Sequence, residues 1–315
     1  MPSKKISIVI PVYNEEENIH ELHKQLLETI GSFEEKNEWE IIFVDDGSTD
    51  KTHEKCLDLS PLTIIKLRKN FGQTAAFDAG FKQATGDIII TLDGDLQNDP
   101  ADIPKLLGKM EEGFDAVSGW RKHRKDTLSK KVTSRTANII RKILFKDSIH
   151  DSGCALKAYR KECFNDLDLY GEMHRFIPAL LESQGYKVAE VVVNHRERLY
   201  GQSKYGNIKR GVKSLSDMIA VWFWDKYAAR PLHIFGSAGI FTTILGSGLL
   251  AALFIGRLFF NISLADKIWP LIGIFLIITG IQLFTIGILT DFLSKIYFKS
   301  HGRMNYFISH VTENK

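Results

Sequence analysis

The chain has 315 residues, 44% of them hydrophobic and 25% charged, which is enough to bury a sizeable core and build one or two domains. A formal charge of +3 is too small to argue for a nucleic-acid partner. Three cysteines, Cys56, Cys154 and Cys163, lack C-x-x-C or ligand-like spacing and read as reduced thiols, not a disulfide framework.

From the N-terminus, a short apolar run at Ile6–Val12 turns polar too soon for a signal peptide and reads as a strand. Glu15–Ile30 follows as a helix, with Ile19, Leu22, Leu26 and Ile30 at three-to-four spacing. Further strands are predicted at Glu40–Asp45, Leu62–Leu67, Asp87–Leu92, Ala116–Trp120 and Val188–Asn194, and helices near 73–84, 101–112 and 127–145. This alternation predicts an α/β sandwich with a mostly parallel sheet. Ligands of such sheets gather at the carboxyl ends of strands, where Asp45-Asp46 and Asp93-Gly94-Asp95 both fall. Basic residues cluster at Arg121–Lys146 and Lys204–Lys213, fit for an anionic substrate or an anionic membrane surface.

The composition then changes. Leu232–Gly256 has no carboxylate, Lys or Arg, and Ile268–Thr290 has no charge at all. At about 1.5 Å per residue each covers roughly 35 Å, enough to cross a ~30 Å hydrocarbon layer. The short link Arg257–Lys267 makes them a hairpin with both chain ends on one side. Lys226 and Arg230 before it, and Lys295, Lys299 and Arg303 after it, place those ends in the cytoplasm by the positive-inside bias. Ahead of the hairpin, Ile208, Val212, Leu215, Met218, Ile219 and Trp222 share a helical face, as expected of an interfacial helix along the cytoplasmic leaflet. The expected organisation is therefore a cytoplasmic catalytic domain at 1–205, an interfacial region at 206–230, and a hairpin (232–256 and 268–290) with a cytoplasmic tail at 231–315. Gly246-Ser-Gly248-Leu-Leu-Ala251 matches a dinucleotide fingerprint, but it lies inside an apolar span with no preceding strand. Small residues there, with Gly236, Gly239 and Thr243, instead let membrane helices approach closely and raise the expectation of a homo-oligomer.

The segment richest in chemistry is Asp93-Gly94-Asp95-Leu96-Gln97, where an apolar strand ends in paired carboxylates. In an extended chain Asp93 and Asp95 point to one side, and Gly94 keeps the approach open. Two hard oxygen donors, with the Gln97 amide beyond, suit Mg²⁺ or Mn²⁺ bound alongside substrate phosphates. Asp46-Gly47-Ser48 also reads as a turn, with Ser48 or Thr49 capping the next helix, and Glu15 as a helix first-turn acid.

Taken together, Pro11-Val12-Tyr13-Asn14-Glu15-Glu16, Val44-Asp45-Asp46-Gly47-Ser48-Thr49-Asp50 and Asp93-Gly94-Asp95-Leu96-Gln97 resemble, in order and spacing, a family 2 glycosyltransferase of the GT-A fold. With the two apolar spans, the resemblance is to the membrane-anchored polyprenyl-phosphate group, which includes dolichol-phosphate mannose synthases and bactoprenol glucosyltransferases. It implies that Pro11, Tyr13 and Glu15 form the nucleotide-binding first loop, Tyr13 covering a base and Glu15 accepting from a ribose hydroxyl. Val44 and Asp46 would line the nucleoside pocket, and Asp93, Asp95 and Gln97 would hold the metal, with Gly94 beside the donor. Arg121, Arg68 and Lys204 are the implied cations near the phosphates, and Ser203-Lys204 the implied segment closing over the donor. Asp151 matches the family position proposed as general base. A phosphate monoester with a second pKa near 6 needs little deprotonation at pH 7, so an orienting role is the better expectation.

The implied reaction is inverting transfer of one hexose from a nucleotide sugar, UDP-glucose favoured and GDP-mannose possible, to a membrane polyprenyl phosphate on the cytoplasmic face. One rival is a processive polysaccharide synthase; its Q-x-x-R-W acceptor motif is absent from this sequence. The other is a catalytically silent sugar-nucleotide sensor or scaffold, which needs neither paired acids nor a metal.

Overall fold

The computed structural model describes residues 4–33, 37–122, 139–145, 147–165, 167, 169, 171–197, 207–227, 231–260, 268–299 and 308–314. Two compact units emerge, Met1–Val221 with Met304–Lys315, and Trp222–Arg303.

In the first unit, strands β1 (Lys5–Val12), β2 (Glu38–Asp45), β3 (Leu62–Leu67), β4 (Ile88–Thr91), β5 (Ala116–Trp120), β6 (Lys157–Arg160), β7 (Val188–Val192) and β8 (Ile308–Asn314) form one sheet. Its order is β7-β5-β6-β4-β1-β2-β3-β8. β1 runs parallel to both β2 and β4, β2 to β3 and β5 to β7, while β6 is antiparallel to β4 and β5. β1 is buried along nearly its whole length because both faces are covered, which is why it reads as an unbroken apolar run. Ile6, Ile8 and Ile10 face one core with Leu22 and Leu26 of α1 (Ile19–Gly31) and Leu106 of α4 (Ile103–Glu111). Val9 faces the other, with Ala75, Ala76 and Ala79 of α3 (Gln73–Gln83) and Leu180 of the helix Ile177–Ser183. The period-two alternation of β1 thus divides its side chains between two layers.

Four differences from the sequence expectations concern the architecture. α1 starts at Ile19, not Glu15, because the residues before it form a loop turned toward the strand ends. β6 is short and flanked by charge, and gains its stability from ladder bonds on both sides. β8, expected as tail, pairs antiparallel with β3, Thr63 opposite Glu313 and Ile65 opposite Val311. It is an edge strand of mostly polar sequence, Ile308-Ser-His-Val-Thr-Glu-Asn314, so periodicity does not betray it. At the start of the short helix α2 (Thr52–Leu57) the side chain that meets the first helical N–H is that of Asp50, not Ser48 or Thr49: Asp50 Oδ1 accepts from Thr52 N at 3.0 Å.

Of the expected helix at 127–145, only 139–145 lies within the described residues. The helix Asn207–Tyr227 buries Met218 and Val221 in the second core and leaves Leu215 and Ile219 exposed.

The second unit holds two helices, Leu232–Phe260 and Trp269–Lys299, with stretches long and apolar enough to cross a membrane at Leu232–Phe260 and Trp269–Leu293, each longer than the expected span. The small-residue stripe expected at an oligomer interface faces within this hairpin. A Cβ on Gly239 would come 2.6 Å from Gly280 O, and one on Gly246 2.7 Å from Gly273 O. Backbones approach this closely only where side chains vanish.

Candidate active site

β1, β2, β4 and β5 point the same way, so their carboxyl ends share one edge of the sheet, and four loops meet there. The first two are laced together. Asn14, in a left-handed conformation (φ 53°), donates from its backbone to Ser48 Oγ at 3.0 Å and accepts from Thr49 N at 2.8 Å. Glu15 donates from its backbone to Thr52 Oγ1 at 2.8 Å, and its carboxylate accepts from Asn18 Nδ2 at 2.6 Å. Tyr13 beside it is half-buried, while Pro11 and Val44 are buried within the strands.

Asp46 is engaged by two backbone donors. Its Oδ1 accepts from Phe71 N at 2.8 Å and its Oδ2 from Gly72 N at 2.9 Å, fixing the loop between β3 and α3. Burial pushes its carboxyl up to about 6, the two backbone N–H groups opposing that rise and Asp45 adding to it. Gly47 (φ +72°) packs so tightly on this loop that a Cβ would fall on the Lys69 backbone. Arg68 of the same loop is exposed.

At the end of β4 the chain does not stay extended. Asp93-Gly94-Asp95 enters a turn, and Leu96, fully buried, takes φ 60°. The turn, not strand alternation, brings the two acids together. Gly94 is required by space, since a Cβ would sit 3.0 Å from Val12 Cγ1 and 3.3 Å from Pro11 O. Asp93 keeps some solvent access, yet the protein around it pushes its carboxyl up to about 6. The Asp95 charge adds to the rise, against Arg121, a hydrogen bond from Gln73 and Lys157. Asp95 is buried and accepts from Gln97 N at 3.1 Å. Gln97 is partly buried.

Arg121 follows β5 and faces Asp151. The guanidinium donates from Nε to Oδ2 at 2.7 Å and from Nη2 to Oδ1 at 2.9 Å, a two-pronged pair that is largely buried. Burial works against the Arg121 charge, but Asp151, with Asp93 beyond, holds it above its ordinary range. Ser203 and Lys204 lie outside the described residues, as does most of the basic stretch after Arg121.

Three contributors were not foreseen. Gln73, the first residue of α3, donates from Nε2 to Asp93 Oδ1 at 2.6 Å. Lys157, buried on β6 opposite Thr91, donates to Ser152 O and His174 O at 3.4 Å each; burial lowers its ammonium to about 8 despite Asp151 and Asp93 nearby. His174, held neutral by burial and by the charges of Arg175 and Lys157, meets Thr74 Oγ1 through Nδ1 at 2.7 Å. Lys157 and Gln73 carry no motif; a Lys inside a strand that passes beside the Asp93 strand is the only signal, and it requires the strand order.

The family description "Glycosyl transferase family 2" matches residues 7–168. Dodecaprenyl-phosphate galacturonate synthase of Rhizobium johnstonii is 36% identical over 99% of this chain and 94% of its own length. Undecaprenyl-phosphate 4-deoxy-4-formamido-L-arabinose transferase of Proteus mirabilis is 35% identical over 98% and 94% respectively. Among solved structures, glucosyl-3-phosphoglycerate synthase from Mycobacterium tuberculosis, in complex with Mn²⁺, UDP and phosphoglyceric acid, shares the fold with TM-score 0.56 and 19% identity. It covers 70% of this chain and 78% of that one. With the family match over residues 7–168 and relatives at this identity over nearly the whole chain, the chain belongs to glycosyl transferase family 2, as a GT-A-fold glycosyltransferase.

Proposed function

We propose that the chain transfers one glycosyl unit from a nucleoside-diphosphate sugar to a polyprenyl phosphate at the membrane surface. The observation that carries this reading is the placement, at one sheet edge, of the Asp93–Asp95 pair and the Arg121–Asp151 pair. The same chain carries two helices fit to cross a bilayer. A donor diphosphate and an acceptor phosphate each need compensating positive charge, which a cation held by Asp93 and Asp95 would supply to the donor and the Arg121 guanidinium to the acceptor.

The residues fit a divalent cation. Among the described residues no three His, Cys, Asp or Glu cluster to cage a metal by themselves. Two hard carboxylates that share the remaining ligands with substrate phosphates are the usual arrangement for Mg²⁺ and Mn²⁺. Asp93 and Asp95 would hold the ion, whose charge would offset that developing on the leaving nucleoside diphosphate. The first loop, with Tyr13 and Glu15, and the Asp46-anchored loop would seat the nucleoside, and Ser203-Lys204 would cover the donor. In the reaction an acceptor phosphate oxygen attacks the anomeric carbon, the bond to the diphosphate oxygen breaks with its electron pair, and the configuration inverts.

The chain orientation is supported by β8. The strand after the second span pairs with the sheet that precedes the first, which supports a hairpin with both outer ends on one side of the membrane. The flanking Lys and Arg residues favour the cytoplasmic side. Exposed Leu215 and Ile219 support contact of the preceding helix with the leaflet. For the sugar, the two relatives are named for galacturonate and formamido-arabinose, which puts UDP-linked forms of these ahead of UDP-glucose and GDP-mannose.

The test is mass spectrometry of lipid extracts after incubating membranes with undecaprenyl phosphate, Mg²⁺ or Mn²⁺, and each sugar nucleotide separately. One glycosylated lipid from one donor, lost in Asp95→Ala, supports the proposal and names the sugar. Polymer without lipid product would point to a synthase, and donor binding without turnover to a sensor.

A further inference from the structure

The turn that carries Asp151 is held from the edge of the sheet by a residue outside every motif. Glu190 lies on β7 opposite Ser118 of β5, its side chain 10% exposed. Its Oε1 accepts from the backbone N–H of His150 at 2.8 Å and of Asp151 at 3.1 Å. Its Oε2 accepts from His150 Nδ1 at 2.7 Å. The His150 ring lies flat against Trp120, centroids 4.6 Å and planes 19° apart. Trp120 immediately precedes Arg121, and Arg121 is the residue that Asp151 grips.

These contacts close a ring: Glu190 to the turn, the turn through Asp151 to Arg121, Arg121 along the chain to Trp120, Trp120 through His150 back to Glu190. Remove Glu190, and two adjacent backbone donors lose their acceptor while the imidazole loses the carboxylate that sets its tilt. The Asp151 carboxylate then keeps two longer backbone contacts, from Arg121 N at 3.3 Å and Gly153 N at 3.2 Å, to set the direction in which it holds the guanidinium. A half-buried carboxylate with three donors from a single turn is more than the pairing of β5 and β7 requires, because that ladder is made by backbone alone.

We propose that Glu190 is a positioning residue for transfer, fixing the His150–Asp151 turn so that Arg121 meets the acceptor phosphate in one orientation. The inference rests on the proposed function, in which Arg121 serves the acceptor side. It separates Glu190 from a merely structural residue by which substrate its loss affects. Displacement of the Arg121 guanidinium by an ångström weakens productive acceptor binding but leaves the Asp46 and Asp93 loops, which serve the donor, in place.

The experiment is steady-state kinetics of the full-length protein with undecaprenyl phosphate and donor varied in turn, alongside UDP titration without acceptor. For Glu190→Ala the expected result is an acceptor KM raised by about tenfold or more, with donor KM and UDP affinity unchanged. Glu190→Gln keeps an acceptor oxygen for both backbone N–H groups and is expected within about threefold of the parent. Should Glu190→Ala fail to fold, His150→Phe, which keeps a ring against Trp120 and deletes the carboxylate contact, is expected to show the same split more weakly. Equal rises in donor and acceptor KM, or no rise, in the folded variants would overturn the proposal while leaving the function intact. Parent protein that delivers no sugar to lipid overturns both.

Discussion

Asp151 holds Arg121 with both carboxylate oxygens, at 2.7 Å and 2.9 Å, and receives the Arg121 backbone N–H at 3.3 Å as well. A carboxylate so committed is badly placed to remove a proton, and the acceptor phosphate hardly needs one removed. The geometry fits a group that aims a cation, and the prediction for this residue follows.

Asp151→Asn should keep measurable turnover at pH 8, reduced by roughly 10- to 100-fold, with a larger loss at pH 6, where the acceptor phosphate is half monoanionic. The check is a pH–rate profile of lipid product. A complete loss, flat across that range, would restore the general-base role.

Asp46 should make nucleotide affinity pH-dependent. Its ionised form offers an oxygen to each of Phe71 N and Gly72 N, and protonation near pH 6 turns one acceptor into a donor. UDP binding measured without metal should therefore weaken as pH falls through 6. Asp46→Asn should bind about tenfold more weakly than the parent at pH 8, with that pH dependence gone. The raised pKa means the folded state binds this proton more tightly than the unfolded chain. Acidification from pH 7 toward 4 thus stabilises the fold through this group, and lost affinity there is local, not unfolding.

Removing divalent cations with a chelator, or substituting Asp95→Ala, should each lower transfer by about 100-fold or more. Only the chelated parent should recover on adding Mn²⁺. Full activity in the chelator would eliminate the proposed metal role of the acid pair.

The buried pair between Arg141 and Asp147, each side chain 1% exposed, also binds Ile149 O through Arg141 and so supports the turn leading to Asp151. Asp147→Ala strands a buried guanidinium and should cost about 3–5 kcal/mol. Thermal melts of purified protein in detergent would read this as a clear drop in Tm.

Gly280 has Gly239 O and Thr243 N within 2.7 Å of where its Cβ would stand. Gly280→Leu should destabilise the hairpin by about 1–3 kcal/mol through overpacking, while UDP affinity of the catalytic unit stays at the parent level. A melt unchanged by this substitution would show that the helices do not pack through this glycine.

Much of this protein is legible without coordinates where local chemistry is strong. β1, β3 and β5 fall within a residue of expectation because buried parallel strands are continuous apolar runs. The two spans are legible from charge-free length alone. The short strand β6 and the polar edge strand β8 escape, because their stability comes from ladders made with residues far away in sequence. The small-residue stripe of the first span is legible as a packing face, but not its partner, which is the second span of the same chain.

At the site, sequence alone determined which residue types end the strands: carboxylates at 46, 93 and 95, a cation at 121, an acid at 151. Tertiary structure decided what each one faces. Asp46 turns to the Phe71–Gly72 backbone, Arg121 to Asp151, Gln73 reaches Asp93 from 20 residues away, Glu190 reaches His150 from 40, and Lys157 joins from the neighbouring strand β6. The physical reason is that an apolar periodicity is repeated along the chain and can be read locally. A hydrogen bond between two loops depends on strand order and turn direction, which are settled only when the whole sheet assembles.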